Sequence, residues 1–565
     1  MMKLKKRLGD MLVEEGLITV NQLEEALESQ KETGYKLGET LIKSHAITEE
    51  ILYKFLESQY GIPYVDLNTI YIDPKIPKLI NESIAVKHSL IPIRLENSTL
   101  TIAMADPLDF IAKDDVRIIT GLQVDPVISS HADIKKSISQ FYDSSDNAER
   151  AVEEFRNQNH VEEDEIDVED ADVTNAPMVR LVNSLISQAV RAKASDIHIE
   201  PGEKHVRVRF RIDGELIEVM KPAKATHSPM VTRIKILGKM NISEKRIPQD
   251  GRIETVIEGL PIDMRISVLP TVYGEKVVIR LLDRNGLVIK KEDLGFTEEN
   301  LARFERIIRI PEGIILVTGP TGSGKTTTLY SVLKELNRVS KNIITVEDPV
   351  EYRIEGINQV QVNNKAGLSF ASGLRSILRQ DPDIIMVGEI RDSETAQIAV
   401  RAAITGHVVL STIHTNDTAS TVSRLEDMGI EKYLLSSAVK GIIAQRLVKK
   451  ICPKCKEPYN LSEEEKRQFS QETEIPSVAY RGRGCNSCNH TGYSGRMAIH
   501  EVLVIDREIR KLISLSASAD EIKRKAKERG LITLSENCRE LVIRGLTTID
   551  EMNRMTFNVD MDDAL

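Results

Sequence analysis

The 565-residue sequence has no tryptophan, aromatics make up only 4% of it, and no apolar run approaches the roughly 18 residues of a membrane-spanning helix. Each shortage excludes something. With so few aromatic rings, the stacking platforms that hold single-stranded nucleic acid are missing. A net charge of −10 removes the overall basic field of a non-specific nucleic-acid binder, so no nucleic-acid partner is expected. The N-terminus, MMKLKKRLGDML, has basic residues but no apolar core with a small-residue cleavage site. It therefore does not read as a secretion signal, and a cytoplasmic location is expected. Cysteine is scarce as well: there are five, and four of them form two CxxC pairs.

What is present is organised around Gly319-Pro320-Thr321-Gly322-Ser323-Gly324-Lys325-Thr326-Thr327. This stretch follows the apolar run Ile314 to Val317 and precedes a helix-forming segment, Leu329 to Leu336. That context fits a phosphate-cradling loop, in which glycines let backbone N–H groups surround a phosphate at a helix start. Lys325 is expected to reach the β- and γ-phosphates of ATP, and the Thr326 hydroxyl to take one Mg²⁺ position. Further on, Ile343 to Val346 and Ile384 to Val387 read as buried strands tipped with Glu347 and Glu389, where α/β sheets place ligands. A third buried strand is flanked by His407 and His414, candidates for sensing or contacting a γ-phosphate.

At this length, domains of roughly 100–200 residues imply three to five units. Residues 1–68 hold a 29-residue tandem repeat: Lys6 to Leu12 recurs as Tyr35 to Leu41, and Leu23, Leu27 and Gln30 recur as Leu52, Leu56 and Gln59. Each copy reads as helix, turn, helix. Residues 69–145 alternate short strands with turn signals, a small α/β module. Residues 146–175 form an acidic linker, in which eight of the twelve residues from Val161 to Asp172 are acidic and repel one another. Residues 176–292 contain a helix from Pro177 to Ala192 and strands that place arginine at alternate positions. Residues 293–565 carry the phosphate loop. Within them, segment 450–495 holds Cys452, Cys455, Cys485 and Cys488; four thiolates with no open coordination position suit a structural Zn²⁺.

Taken together, GPTGSGKTTT, VEDPVEY (Val346–Tyr352), RQDPDIIMVGEIRD (Arg379–Asp392), TGHVVLSTIHTND (Thr405–Asp417) and the double CxxC resemble the ATPases of type II secretion and type IV pilus assembly, of the extension type. The resemblance implies an α/β multidomain architecture with a PAS-like α+β middle domain and a RecA-like ATPase domain. It implies a homohexamer at the inner face of the cytoplasmic membrane, coupling ATP hydrolysis to pilin movement through an inner-membrane platform protein. Glu347 is expected to orient the attacking water and Glu389 to hold Mg²⁺ through water. The Arg-rich domain is expected to close over ATP, with Arg209, Arg211, Arg265 and Arg280 on strands and Arg233 on a helix as candidate fingers. The tandem repeat resembles the cyclic-di-GMP-binding N-terminal domain of these ATPases. That likeness implies Arg7, Leu8, Gly9, Leu23, Leu27 and Gln30 as one half-site, and Lys36, Leu37, Gly38, Leu52, Leu56 and Gln59 as the other. Pilus assembly and type II secretion both remain open; a nucleic-acid translocase also uses a hexameric RecA-like core, but the VEDPVEY and TGHVVLSTIHTND segments, the acidic total charge and the cysteine clamp weigh against it.

Overall fold

The computed structural model describes residues 8–33, 37–44, 46–73, 75–107, 109–143, 176–257, 259–283, 290–469 and 476–560. The expected acidic linker, together with Arg7 and Lys36, lies outside these residues, as do the side chains of Leu8, Leu56 and Gln59. Two compact units are distinguished: residues 1–188 with 222–234 and 484–490, and residues 189–221 with 235–483 and 491–565.

In the first unit the tandem repeat folds as helices α1 (Leu8–Glu14), α2 (Val20–Thr33), α3 (Leu37–Lys43) and α4 (Glu49–Tyr60). The sequence period is also a packing period. Buried Leu12, Ile18 and Ala26 are followed 29 residues later by buried Leu41, Ile47 and Phe55. A Cβ on Gly9 would lie 2.5 Å from Leu23 Cδ1, and one on Gly38 3.0 Å from Leu52 Cδ2. Each glycine thus lets its helix approach the leucine of the next. Leu27 is 40% exposed and Gln30 half-buried, so this side of α2 faces outward. Beyond the repeat, strands β1 (Leu90–Glu96), β2 (Thr99–Met104) and β3 (Gln123–Ile128) form a three-stranded sheet, antiparallel then parallel. Leu90, Leu100, Ile102 and Val116 lie in its core.

The second unit has two sheets. The first is antiparallel, in the order β6-β5-β4-β9-β8-β7, from β4 (Asp196–Pro201), β5 (Val206–Ile212), β6 (Glu215–Met220), β7 (Gln249–Ile257), β8 (Leu260–Thr271) and β9 (Gly274–Asp283). Alternation sorts its faces: Ile197, Ile199, Val208, Phe210, Val277 and Ile279 are buried on one, and the arginines occupy the other.

The second sheet runs β12-β11-β13-β14-β10-β15-β18. Its strands are β10 (Gly313–Thr318), β11 (Ile343–Glu347), β12 (Asn358–Gln361), β13 (Ile384–Val387), β14 (Val408–Ile413), β15 (Val439–Ile451) and β18 (Tyr493–Val504), with the pair β16 (Lys456–Asn460) and β17 (Val478–Gly482) inserted between the last two. All pairings but β15–β18 are parallel. Every residue of β10, β11, β13 and β14 is buried, as continuous apolar runs in a covered parallel sheet require. Parallel order brings the C-terminal ends of β10, β11, β13 and β14 to one edge, where Thr318, Glu347, Val387 and Ile413 end their strands.

Candidate active site

The phosphate loop leaves β10 at Thr318 and enters the helix Lys325–Leu336, whose N-cap is Gly324. Gly319 has φ 144° and Gly324 φ 87°, values that L side chains resist. Space excludes a side chain too: a Cβ on Gly319 would sit 2.4 Å from Gln445 O, and one on Gly324 2.8 Å from Gln445 Nε2. Gln445, on neighbouring β15 and 2% exposed, clamps both ends of the turn. Its Nε2 donates to Ser323 O (2.9 Å) and its Oε1 accepts from Thr328 Oγ1 (2.7 Å). On the other flank Thr415 N donates to Thr318 Oγ1 (2.9 Å), tying the loop's base to the segment after β14.

Lys325 is buried, and its ammonium donates to Gly319 O (2.7 Å) and Pro320 O (2.9 Å). Burial pulls its pKa down to about 8, against the opposing charge of Glu389. A phosphate at the loop offers the ammonium a charged acceptor in place of two carbonyls, a stronger hydrogen bond. Glu389 itself receives Arg391 Nε at 2.6 Å and lies 3.7 Å from His414 Nε2. The His414 pKa is lowered, chiefly by burial and then by Lys325. The structure therefore assembles Lys325, Glu389 and His414 at the edge where the phosphate loop begins. Sequence reading missed Arg446, which donates to Asn416 Oδ1 (2.9 Å) and whose charge also lowers the Lys325 pKa. Gln445 was missed as well.

His407 is a correction. It precedes β14 whereas His414 follows it, and Gly313 N, at the start of β10, donates to His407 O (3.0 Å). A six-residue strand at about 3.3 Å per residue puts it roughly 20 Å from the phosphate edge. Its Nδ1 meets Ala402 O at 3.0 Å, so it packs at the sheet's opposite end.

Glu347 ends β11 with its carboxylate buried and met by three donors: Thr345 Oγ1 (2.6 Å), Gln359 Nε2 (3.1 Å) and the Tyr330 hydroxyl. Burial raises its pKa. Tyr330 and Gln359 also line a cleft of about 900 Å³ together with Arg252, Lys334, Glu351 and Tyr352.

The strand arginines are held by acids on β4 or near β11. Arg209 Nη2 donates to Glu200 (2.8 Å), while Arg211 (3.7 Å) and Arg280 (3.2 Å) both face Asp196. Against the opposing effect of burial, Arg209 and Lys276 hold the Glu200 pKa down to about 2. Arg265 reaches the loop that follows β11, pairing with Glu351 (2.7 Å) and donating to Val350 O (3.2 Å). Arg233 lies on the helix His227–Leu237.

The four sulfurs of Cys452, Cys455, Cys485 and Cys488 lie within 4.8 Å of one another, all buried. Strand pairing explains the meeting. β16 starts directly after Cys455, β17 ends before Arg483, Lys456 pairs with Gly482, and Arg483 N donates to Cys455 O (3.0 Å). Zn–S bonds of about 2.3 Å in a tetrahedron separate sulfurs by roughly 3.8 Å. Cys485 and Cys488 Sγ are 3.7 Å apart, so the donor set fits zinc.

A family profile described as type II/IV secretion system protein matches residues 171–554, and an MshEN domain profile matches residues 60–148, beginning where the helical repeat ends. The chain is 44% identical to the type IV pilus assembly ATPase PilB of Myxococcus xanthus, over 97% of this chain and 98% of that protein. It is 49% identical to the type II secretion system ATPase E of Vibrio cholerae, over 68% of this chain and 76% of that one. The Legionella pneumophila ATPase DotB superposes with a TM-score of 0.50 at 22% identity, covering 66% of this chain and 95% of that structure, a likeness of fold.

Proposed function

The chain belongs to the ATPase family of type II secretion and type IV pilus assembly, and on that footing we propose that it is the homohexameric motor of type IV pilus assembly, working on an inner-membrane platform protein from the cytoplasmic side. The observation that carries the reading is similarity to a pilus assembly ATPase along almost the whole of both chains, joined to an ATPase centre of Lys325, Glu389 and His414. Among the described residues no helix is long and apolar enough to cross a membrane.

In the proposed reaction the phosphate loop and Lys325 hold the β- and γ-phosphates of ATP. A water oriented by Glu347 attacks the γ-phosphorus, the bond to the ADP oxygen breaks, and the water's proton leaves with the phosphate product or through the carboxylate. Thr326 Oγ1, on the first turn of the helix after the loop, and Glu389, just past the end of β13, are hard oxygen donors that would hold Mg²⁺, which when bound neutralises phosphate charge. His414, held between Glu389 and the loop, senses the γ-phosphate. Arg209, Arg211, Arg265, Arg280 and Arg233 are the candidates for completing the site. Those paired with Asp196, Glu200 and Glu351 must exchange these carboxylates for phosphate to do so. The N-terminal region is the proposed cyclic-di-GMP receptor, through the outward face that carries Leu27 and Gln30.

The second reading, a type II secretion ATPase, is favoured by the 49% identity to the Vibrio cholerae protein. Deleting the gene in its host separates the two. Loss of surface pili with exoprotein release intact is expected; the reverse outcome replaces the first reading by the second.

A further inference from the structure

Tyr330 has a role that its place in an amphipathic helix conceals. It sits five residues after Lys325 on the helix that begins at the phosphate loop, and it is 1% exposed. A buried phenol needs a partner, and this one has two. Its hydroxyl donates to Glu347 Oε2 and accepts from Glu351 N (3.2 Å). Its ring stands edge-on to Tyr352 at 4.5 Å and 68°, so the oxygen is aimed by packing as well as by hydrogen bonds.

The remaining donors to Glu347 are equally well anchored. Gln359 gives Nε2 to Glu347 Oε1 and to Tyr352 O (3.1 Å), and its Oε1 accepts from Ile354 N (2.8 Å). Thr345 reaches Oε1 from the same strand at 2.6 Å. A carboxylate has about four lone-pair sites. Thr345 and Gln359 take both on Oε1, Tyr330 takes one on Oε2, and one site on Oε2 is left. The loop that Tyr330 also holds, through Glu351 N, is gripped from the arginine sheet by Arg265.

We propose that Tyr330 is a positioning residue for ATP hydrolysis: its hydroxyl fixes the Glu347 carboxylate so that a single lone pair of Oε2 is presented to the attacking water. The proposal rests on the reading that Glu347 orients that water. Tyr330 acts through Glu347, which its hydroxyl holds. The proton of the shared hydrogen bond stays on the phenol, whose ordinary pKa lies far above that of a carboxylate and is pushed higher still by burial and by the charge of Glu347. The Arg265–Glu351–Tyr330–Glu347 chain then connects the arginine sheet to the same carboxylate.

The test is a set of full-length variants assayed for kcat, KM and equilibrium nucleotide affinity. Tyr330→Phe keeps the ring and its packing and removes only the hydroxyl. It is expected to lower kcat by about tenfold or more while leaving KM and affinity within about twofold, the pattern of an interaction that matters in the transition state. Thr345→Val, which removes a second donor without changing shape, should show the same split. Glu347→Gln should lose turnover, and adding Tyr330→Phe to it should change the residual rate less than about twofold, because the two residues act as one unit. If Glu347→Gln is inactive while Tyr330→Phe turns over at the wild-type rate, the positioning role is wrong and the role of Glu347 stands. If the two losses multiply in the double variant, Tyr330 is structural and the proposal fails. If Glu347→Gln hydrolyses ATP at the wild-type rate, the underlying reading fails and takes the proposal with it.

Discussion

His500 lies on β18 with 0% exposure, its ring stacked on Phe296 at 3.7 Å and 19°, and neither ring nitrogen has a hydrogen-bond partner among the described residues. Burial alone pushes its pKa down to about 3. The ring is therefore neutral in the fold, and the unfolded chain binds one more proton between the ordinary value near 6.5 and about 3. Stability should fall as pH drops through that window, by about 1.4 kcal/mol per unit from this group alone. Thermal unfolding between pH 7 and pH 5 checks this. His500→Phe, which preserves the stack, should flatten the slope; an unchanged slope would show that other groups dominate. Residues of this kind carry stability, whereas Lys325, also buried, has its pKa lowered to about 8 at the loop proposed to hold phosphate, where a bound anion would raise it.

At the scale of elements, the β16–β17 pair sets the cysteine knuckles side by side, and zinc is expected to lock them there. Structural zinc is worth roughly 10–16 kcal/mol of apparent binding energy in small peptides, much of it expressed as folding. Cys452→Ser should therefore make residues 450–495 exchange backbone hydrogens faster and lower the metal content. About one zinc per chain is expected by elemental analysis of protein purified without chelator, and none would contradict the site. The double CxxC was legible in sequence because knuckle spacing is a local signal. So were the strand ends at Glu347 and Glu389, since continuous apolar runs closed by an acid mark buried parallel strands. His407 misled because an apolar run flanked by two histidines does not say which of them stands at the ligand edge; only the parallel register of β10 and β14 does. Gln445 and Tyr330 were missed for the opposite reason, since each sits inside an apolar pattern and reads as core. The available signal was a polar atom where Leu or Phe would have served: an amide amid Ile442-Ile443-Ala444, and a hydroxyl on a buried ring. The strand arginines were legible as one face of a sheet, but their pairing with Asp196 and Glu200 depends on contacts across strands.

For the whole molecule, the 29-residue repeat builds a four-helix layer whose core repeats with the sequence, Leu12 with Leu41 and Ile18 with Ile47. If this layer and its surroundings take cyclic-di-GMP as proposed, the two half-sites are unequal, because Arg7 offers a planar fork where Lys36 offers a point charge. Arg7→Ala should weaken binding more than Lys36→Ala in a calorimetric titration of the full chain. Equal affinity of wild type and the Arg7→Ala, Gln30→Ala double variant would make the repeat a packing module only. The proposed motor requires the chain to hydrolyse ATP at the Lys325–Glu389 centre. The direct measurement is Mg·ATP turnover beside nucleotide affinity for wild type, Lys325→Ala and Glu389→Gln. Lys325→Ala should lose binding and turnover together, and Glu389→Gln should keep binding while losing turnover by a factor on the order of 100 or more. Wild-type hydrolysis by either variant would contradict it.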